Sequence, residues 1–217
     1  MPDFREIISQ QRVFLIIFGV FFVALGVLLM CFDKAELHLM LSSNHNAFFD
    51  VFFKHYTGLC QWAPYVVGVL LVLYRYSASL LILLSQAIEA VMIYVAKQIY
   101  HAPRPVKWFA ENMPEVQLTL VEGVKAHSQF SFPSGHSAAF FAFFFSLSVL
   151  TSNRWLQALY CCLAILGCYS RIYLSQHFAV DIWAGSLIGV VSVMLMLIWK
   201  FPMRIEPLNQ KLKIRKD

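Results

Sequence analysis

Charge is scarce in this sequence. Only 13% of its 217 residues are Asp, Glu, Lys or Arg, while 59% are hydrophobic; a soluble domain carries roughly 25% charged residues. So little charge cannot cover a water-facing surface, which excludes an ordinary soluble globular protein. No linker, internal repeat or low-complexity stretch divides the chain, so a single domain over 1–217 is expected. Metal-ligand spacing is also missing. His38, His45, His55, His101, His127, His136 and His177 include no pair at ligand spacing on one element, and the acidic residues are scattered. Neither a zinc site nor a two-metal centre is therefore expected. Most of these histidines read as solvated loop residues. Cys161, Cys162 and Cys168 fall within an apolar run and read as small packed side chains. Cys31 and Cys60 fall near one face and could pair in an oxidising compartment, although their spacing does not require it.

Long apolar runs fill the chain instead. Crossing a hydrocarbon core of about 30 Å takes roughly 20 helical residues. Six runs approach that length, near 13–32, 58–75, 77–96, 135–151, 155–171 and 180–199. The expected fold is an all-α integral membrane protein with six transmembrane helices in a bundle. The second, fourth and fifth runs are short for a full crossing, so their limits are soft. The first is too long for the apolar part of a secretory signal, and Cys31-Phe32-Asp33-Lys34 offers no small-residue cleavage site, so it reads as a retained anchor. Six crossings put both termini on one side. Ten of the seventeen Lys and Arg residues gather there, in the arm (Arg5, Arg12), the turns (Arg75, Arg154) and the tail (Lys200, Arg204, Lys211, Lys213, Arg215, Lys216). By the positive-inside rule the termini are cytoplasmic, and the basic tail suits anionic headgroups. The two long outer connections, 33–57 and 97–134, are the kind of segment that carries a site. Trp62, Trp108, Trp155 and Trp199 fall near interfaces, where indoles settle without any catalytic role.

Polar residues collect in three places. The stretch from Lys97 to Pro105 ends the third run, and its prolines stop the helix and bias Arg104 toward extended backbone. Two cations thus stand at the surface with different reach; alone, they read as a snorkelling lysine and a loop arginine. Ser131-Phe132-Pro133-Ser134-Gly135-His136 opens the fourth run. Ser134 is a good N-cap, so a helix should begin at about Gly135 with unpaired N–H groups that attract anions, phosphate in particular. Gly135 would let a ligand approach that backbone closely, yet Pro-Ser-Gly alone is equally ordinary turn chemistry. The third cluster runs from Ser170 to Asp181. If the sixth helix begins by about 175, His177 and Asp181 share a face, and a carboxylate on one ring nitrogen leaves the other free for attack. Asp181 at the start of a span is costly without a partner. The topology drawn from hydropathy brings all three clusters to one outer face. Glu89, two turns before Lys97 within the third run, reads as a structural partner of Ser85 or Gln86, with a place along a lipid channel or a part in proton handling as the alternatives.

K-x6-R-P over Lys97–Pro105, P-S-G-H over Pro133–His136 and S-R-x5-H-x3-D over Ser170–Asp181 resemble the three-part signature of the type 2 phosphatidic acid phosphatase superfamily. The parts stand in order and span 97–181. The resemblance implies a lipid phosphate phosphatase with its active site at the outer (periplasmic or extracytoplasmic) membrane interface. His177 would be the nucleophile that becomes a phosphohistidine, and Asp181 would orient it. His136 would protonate the leaving oxygen and then act as base for the attacking water. Lys97, Arg104 and Arg171, with Ser134 and Gly135, would hold the phosphoryl oxygens. No metal and no cofactor is implied. The residues suit these roles, because phosphoryl transfer needs positioning and charge neutralisation, and covalent catalysis needs a nucleophile distinct from its acid.

The expected partners are a lipid phosphate or diphosphate substrate and the surrounding membrane lipids, with no nucleic acid. Phosphatidic acid, phosphatidylglycerol phosphate, a polyprenyl diphosphate and lipid A phosphate all fit, and no residue chooses among them. The expected setting is a multi-pass protein of a bacterial inner (cell) membrane, with its active site facing outward. Two other readings use the same residues less fully. A transporter or flippase for anionic lipids needs the cations but neither the His177–Asp181 pair nor His136. A vanadate-dependent haloperoxidase shares the anion pocket, but such enzymes resemble soluble proteins.

Overall fold

The computed structural model describes residues 4–199, without the side chains of Phe4, Arg5, Leu59 and Cys60, and within that range every regular element is an α-helix. The six apolar runs become α2 (Arg12–Cys31), α4 (Ala47–Val72), α5 (Tyr76–Tyr100), α7 (Gly135–Val149), α8 (Arg154–Tyr173) and α9 (Ala179–Ile198). Three short helices, α1 (Phe4–Gln10), α3 (Lys34–Ser42) and α6 (Pro105–Asn112), lie between or before them. Four of the long helices, α2, α5, α8 and α9, are long and apolar enough to cross a membrane. The Gln61–Val72 part of α4 and all of α7 are apolar but shorter.

Two connections differ from expectation. The 33–57 stretch is helical for most of its length, because Asp33 and Asn46 start helices there; the Asn46 side chain accepts a hydrogen bond from the Phe49 N–H at 2.9 Å. Accordingly α4 begins eleven residues before the hydropathy run at 58, which polar residues such as Asp50, Lys54 and His55 had hidden. In the 97–134 stretch, Pro105 at the first turn of α6 starts a helix where a loop was expected. The basic tail lies outside the described residues. So does the proposed partner of Cys31, the Cys60 side chain; among the described residues Cys31 pairs with no other cysteine.

α7 is the axis of the bundle. Its ring-bearing positions Phe140, Phe141, Phe143, Phe144 and Phe145 are all buried, as a helix apolar on every side must be. Phe145 stacks on Phe14 of α2 at 4.7 Å between centroids, and Phe141 meets Phe18 edge-on at 5.1 Å. Lipid is as apolar as these rings, so close packing rather than exclusion of water holds α7 in place. On α9, Gly185 and Gly189 face it one turn apart. A Cβ on either would strike backbone carbonyl oxygen, that of Ser134 or of Ala138. Small residues at this spacing let two spans approach backbone to backbone. The outer surface is apolar in turn: Ile16, Val20, Val23 and Val27 form an exposed stripe along α2, the reverse of a water-facing helix. The chain is thus an integral, multi-pass membrane protein. α2, α5 and α8 end, and α4, α7 and α9 begin, at the same end of the bundle.

Candidate active site

At that end α8 stops at Tyr173 and α9 starts at Ala179, so His177 lies in a turn and not inside a helix that begins by 175. The turn is closed by the Arg171 carbonyl, which accepts from the N–H groups of Gln176 (2.9 Å) and His177 (3.2 Å). Ser175 takes a left-handed φ of 49° to make it. Asp181, in the first turn of α9, reaches back across the helix start. Its Oδ2 accepts from the Phe178 N–H (2.9 Å) and from the Ser131 hydroxyl, and stands 3.3 Å from His177 Nδ1. One carboxylate oxygen therefore caps the helix and orients the imidazole. The four-residue spacing brings the pair together, but through half a capping box rather than a shared helix face. With the Nδ1 proton directed at Asp181, the Nε2 lone pair is free. His177 is 1% exposed. Burial, then the positive charges of Arg104, Arg171 and Lys97, hold its pKa well below 6.5, so the ring is neutral at pH 7.

The three cations come from three elements and are held mostly by main-chain oxygen. Lys97, in the last turn of α5, donates to the Phe130 carbonyl at 2.9 Å. Arg104 donates from Nε to Gln129 O (2.9 Å) and from Nη1 to Gln176 O (3.2 Å) and Oε1 (3.3 Å). Arg171, 5% exposed, donates from Nη1 to the Thr57 hydroxyl at 2.9 Å, while its buried Nε has no acceptor among the described residues. None of the three belongs to an ion pair among the described residues. Positive charge gathered without a counter-ion is expensive, most of all at Arg171, the one of the three that is buried. An anion with several oxygens is the ligand that would relieve it.

Ser134 starts α7 as the spacing requires: its hydroxyl accepts from Ser137 N (3.3 Å) and Ser137 Oγ (2.9 Å), and its N–H donates to Asp181 O (3.0 Å). The N–H groups of Gly135 and His136 are left without an acceptor among the described residues. Gly135 and His136 line a cavity of about 320 Å³ together with Lys97 and Glu89. The structure thus gathers every predicted site residue, His136, His177, Asp181, Lys97, Arg104, Arg171, Ser134 and Gly135, at one end of the bundle. Among the described residues no group of three or more His, Cys, Asp or Glu is placed to hold a metal ion.

Several neighbours were not legible beforehand. His38 on α3 is fully buried, not a solvated loop residue: its Nε2 is 3.3 Å from the Ser175 hydroxyl and its ring meets Phe178 edge-on at 5.2 Å. Burial pushes its pKa down to about 4. Lys34 lies 3.9 Å from the centre of the Phe178 ring and 5.1 Å from that of Trp108, a cation–π contact within electrostatic reach of Asp181. Asp33 ahead of Lys34-Ala35-Glu36 was the available signal for this helix. For Ser131, Thr57 and Gln176 there was none, since only tertiary packing puts them beside Asp181, Arg171 and Arg104.

Known proteins resemble this chain in sequence and in fold. The chain is 29% identical over 159 residues to the lipid A 4'-phosphatase of Bacteroides thetaiotaomicron, covering 71% of each. It is 29% identical over 160 residues to the undecaprenyl-diphosphatase of Sulfolobus acidocaldarius, covering 72% of this chain and 73% of that one. It superposes on the crystal structure of Aquifex aeolicus LpxE with a TM-score of 0.66 at 26% identity, over 76% of this chain and 96% of the other. A family model described as the PAP2 superfamily matches residues 76–204, more than half of the sequence and all three polar clusters. The chain belongs to the PAP2 superfamily.

Proposed function

We propose that this PAP2-superfamily phosphatase hydrolyses a membrane lipid phosphate or diphosphate through a phosphohistidine on His177, without a metal ion. One observation carries the reading: Lys97, Arg104 and Arg171 gather at the end of the bundle that holds His177, whose Nδ1 faces the Asp181 carboxylate, and none of the three belongs to an ion pair among the described residues. Such a group suits the equatorial oxygens of a phosphoryl group, and the bare N–H groups of Gly135 and His136 add an anion-binding helix start. In the first step His177 Nε2 forms a bond to phosphorus as the bond to the leaving oxygen breaks, and His136 gives that oxygen a proton. In the second, His136 takes a proton from water, whose oxygen attacks phosphorus; the P–N bond breaks and inorganic phosphate leaves. Asp181 holds the Nδ1 proton throughout.

The relatives named above act, by their names, on lipid A phosphate and on undecaprenyl diphosphate; a substrate of that kind sits with its phosphate at headgroup level and its tails in lipid. Six crossings, cytoplasmic termini and a site facing outward from a bacterial inner membrane complete the proposal. The four long spans and two shorter apolar helices support the count, and the distribution of Lys and Arg supports the orientation. A panel of lipid phosphates and diphosphates on purified protein, scored for inorganic phosphate, tests the function. Release that persists in EDTA and is inhibited by vanadate supports it; strict Mg²⁺ dependence would contradict the mechanism.

A further inference from the structure

His38 has no role in the mechanism above, although α3 buries it completely beside the nucleophile. It differs in this from Glu89, which lies within α5 and does not meet the partners expected for it: the Gln86 amide donates to Ala139 O at 3.1 Å, and the Ser85 hydroxyl has no partner among the described residues. His38 bonds to the nucleophile's own turn. Its Nε2 is 3.3 Å from the hydroxyl of Ser175, two residues before His177, while its ring packs against Phe178, one residue after, and against Phe109 of α6. Lys34, one turn earlier on the same face of α3, covers the Phe178 ring. α3 thus grips the turn on both sides of His177.

Packing alone does not account for an imidazole here. Burial pushes its pKa down to about 4, so the ring is neutral at pH 7 and carries one N–H. Nδ1 has no partner among the described residues, which places that proton on Nε2, where it is donated to Ser175 Oγ. A phenyl ring would fill the same space and strand no nitrogen. What it lacks is the bond to Ser175.

Ser175 is the residue of the turn that needs holding. Its φ of 49° lies in the left-handed region, which a Cβ disfavours and glycine adopts freely. That conformation sends the chain on to Gln176 and His177, whose N–H groups both return to Arg171 O. Were Ser175 to relax to a negative φ, those two bonds would be lost and His177 would be re-aimed. We infer that His38 is a positioning residue for the nucleophile: through the Ser175 hydroxyl it holds the left-handed turn that aims His177 Nε2 at phosphorus. This rests on the proposed phosphohistidine reading and deepens it.

The test is a double-variant cycle on the purified full chain. It reads kcat and KM for phosphate release from whichever of phosphatidic acid, farnesyl diphosphate and lipid A the wild-type protein hydrolyses fastest. His38→Phe and Ser175→Ala should each lower kcat by about tenfold or more with little change in KM, since a small misplacement of a reacting atom is costly. His38→Gln, which keeps an N–H donor, should recover part of the loss. Ser175→Gly takes the left-handed φ unaided and should keep most of the wild-type kcat. In that background His38→Phe should cost no more than about twofold, the scatter of independent effects. An equal His38→Phe loss in both backgrounds, or variants that lower Tm while the kcat of the folded protein stays at the wild-type level, would overturn the inference. Should His38→Phe not fold, Ser175→Ala against Ser175→Gly decides alone, and equal kcat in those two overturns it. Wild-type protein that releases phosphate from none of the three substrates, or that forms no phosphohistidine on His177, would instead sink the reading beneath the inference, and the inference with it.

Discussion

His177 is held on every side, whereas His136 stands at the edge of a cavity. The His177 main chain is tied to Arg171, its Nδ1 faces Asp181, and the neighbouring Phe178 N–H is bound by the same carboxylate. His38 and Lys34 close over Phe178 from α3. His136 shares the lining of one cavity with Gly135, Lys97 and, deeper in the bundle, Glu89. The contrast fits a division of labour. A nucleophile gains from one fixed geometry, because an error of an ångström at the reacting atom costs much of the rate. A group that serves first a leaving alcohol and then a water needs room beside it for both.

Breaking each histidine in turn should expose that division. His177→Ala should lower phosphate release most, by roughly 10⁴–10⁶-fold, since no covalent intermediate can form. His136→Ala should cost less, roughly 10²–10⁴-fold, the scale of one general acid–base group. The deficit at His136 should shrink when the leaving group is p-nitrophenolate, which departs without a proton; the deficit at His177 should not. Equal deficits for both leaving groups would remove His136 from the acid role.

A subtler break acts through charge. The pKa of His177 lies below 6.5 because of burial first and then Arg104, Arg171 and Lys97. The neutral ring is the reactive form, so activity should fall as pH drops through the folded pKa, and the acid limb of kcat/KM should lie below pH 6.5. Lys97→Gln removes one repelling charge and should move that limb to higher pH while also weakening substrate binding. An acid limb that stays in place would show that Lys97 does not act on the nucleophile. Smaller again is the effect of the helix contact that joins the two halves of the site. Gly185→Ala drives a Cβ into the Ser134 carbonyl, an overpacking cost of about 1–3 kcal/mol. A lowered Tm in detergent, with a loss of turnover beyond that of Gly19→Ala, where a Cβ meets nothing within 4 Å, is the expected outcome.

The signature residues were legible because spacing and residue type carry their chemistry: a proline-flanked arginine, an N-cap serine before glycine, a histidine four residues before an aspartate. Hydropathy located the long helices for the same reason, as length and apolarity are local properties. The helix start at Ala47 was hidden by Asp50, Lys54 and His55, which interrupt the apolar pattern where α4 rises out of the bundle core. His38 looked like one more loop histidine, since only tertiary packing buries its ring against Phe178 and Phe109. The carbonyl groups of Gln129 and Phe130 that hold Arg104 and Lys97 had no signal at all, because every residue has such a group and only the path of the 113–134 segment aims them.

The most direct measurement is acid-free trapping of the intermediate. Purified protein mixed with a lipid phosphate for less than one turnover, quenched in alkali and digested, should yield a peptide phosphorylated on His177, absent from His177→Ala and unaffected by EDTA during the reaction. Phosphate release with no phosphohistidine at any time point, or a label on His136 in place of His177, would contradict the assignment of the nucleophile.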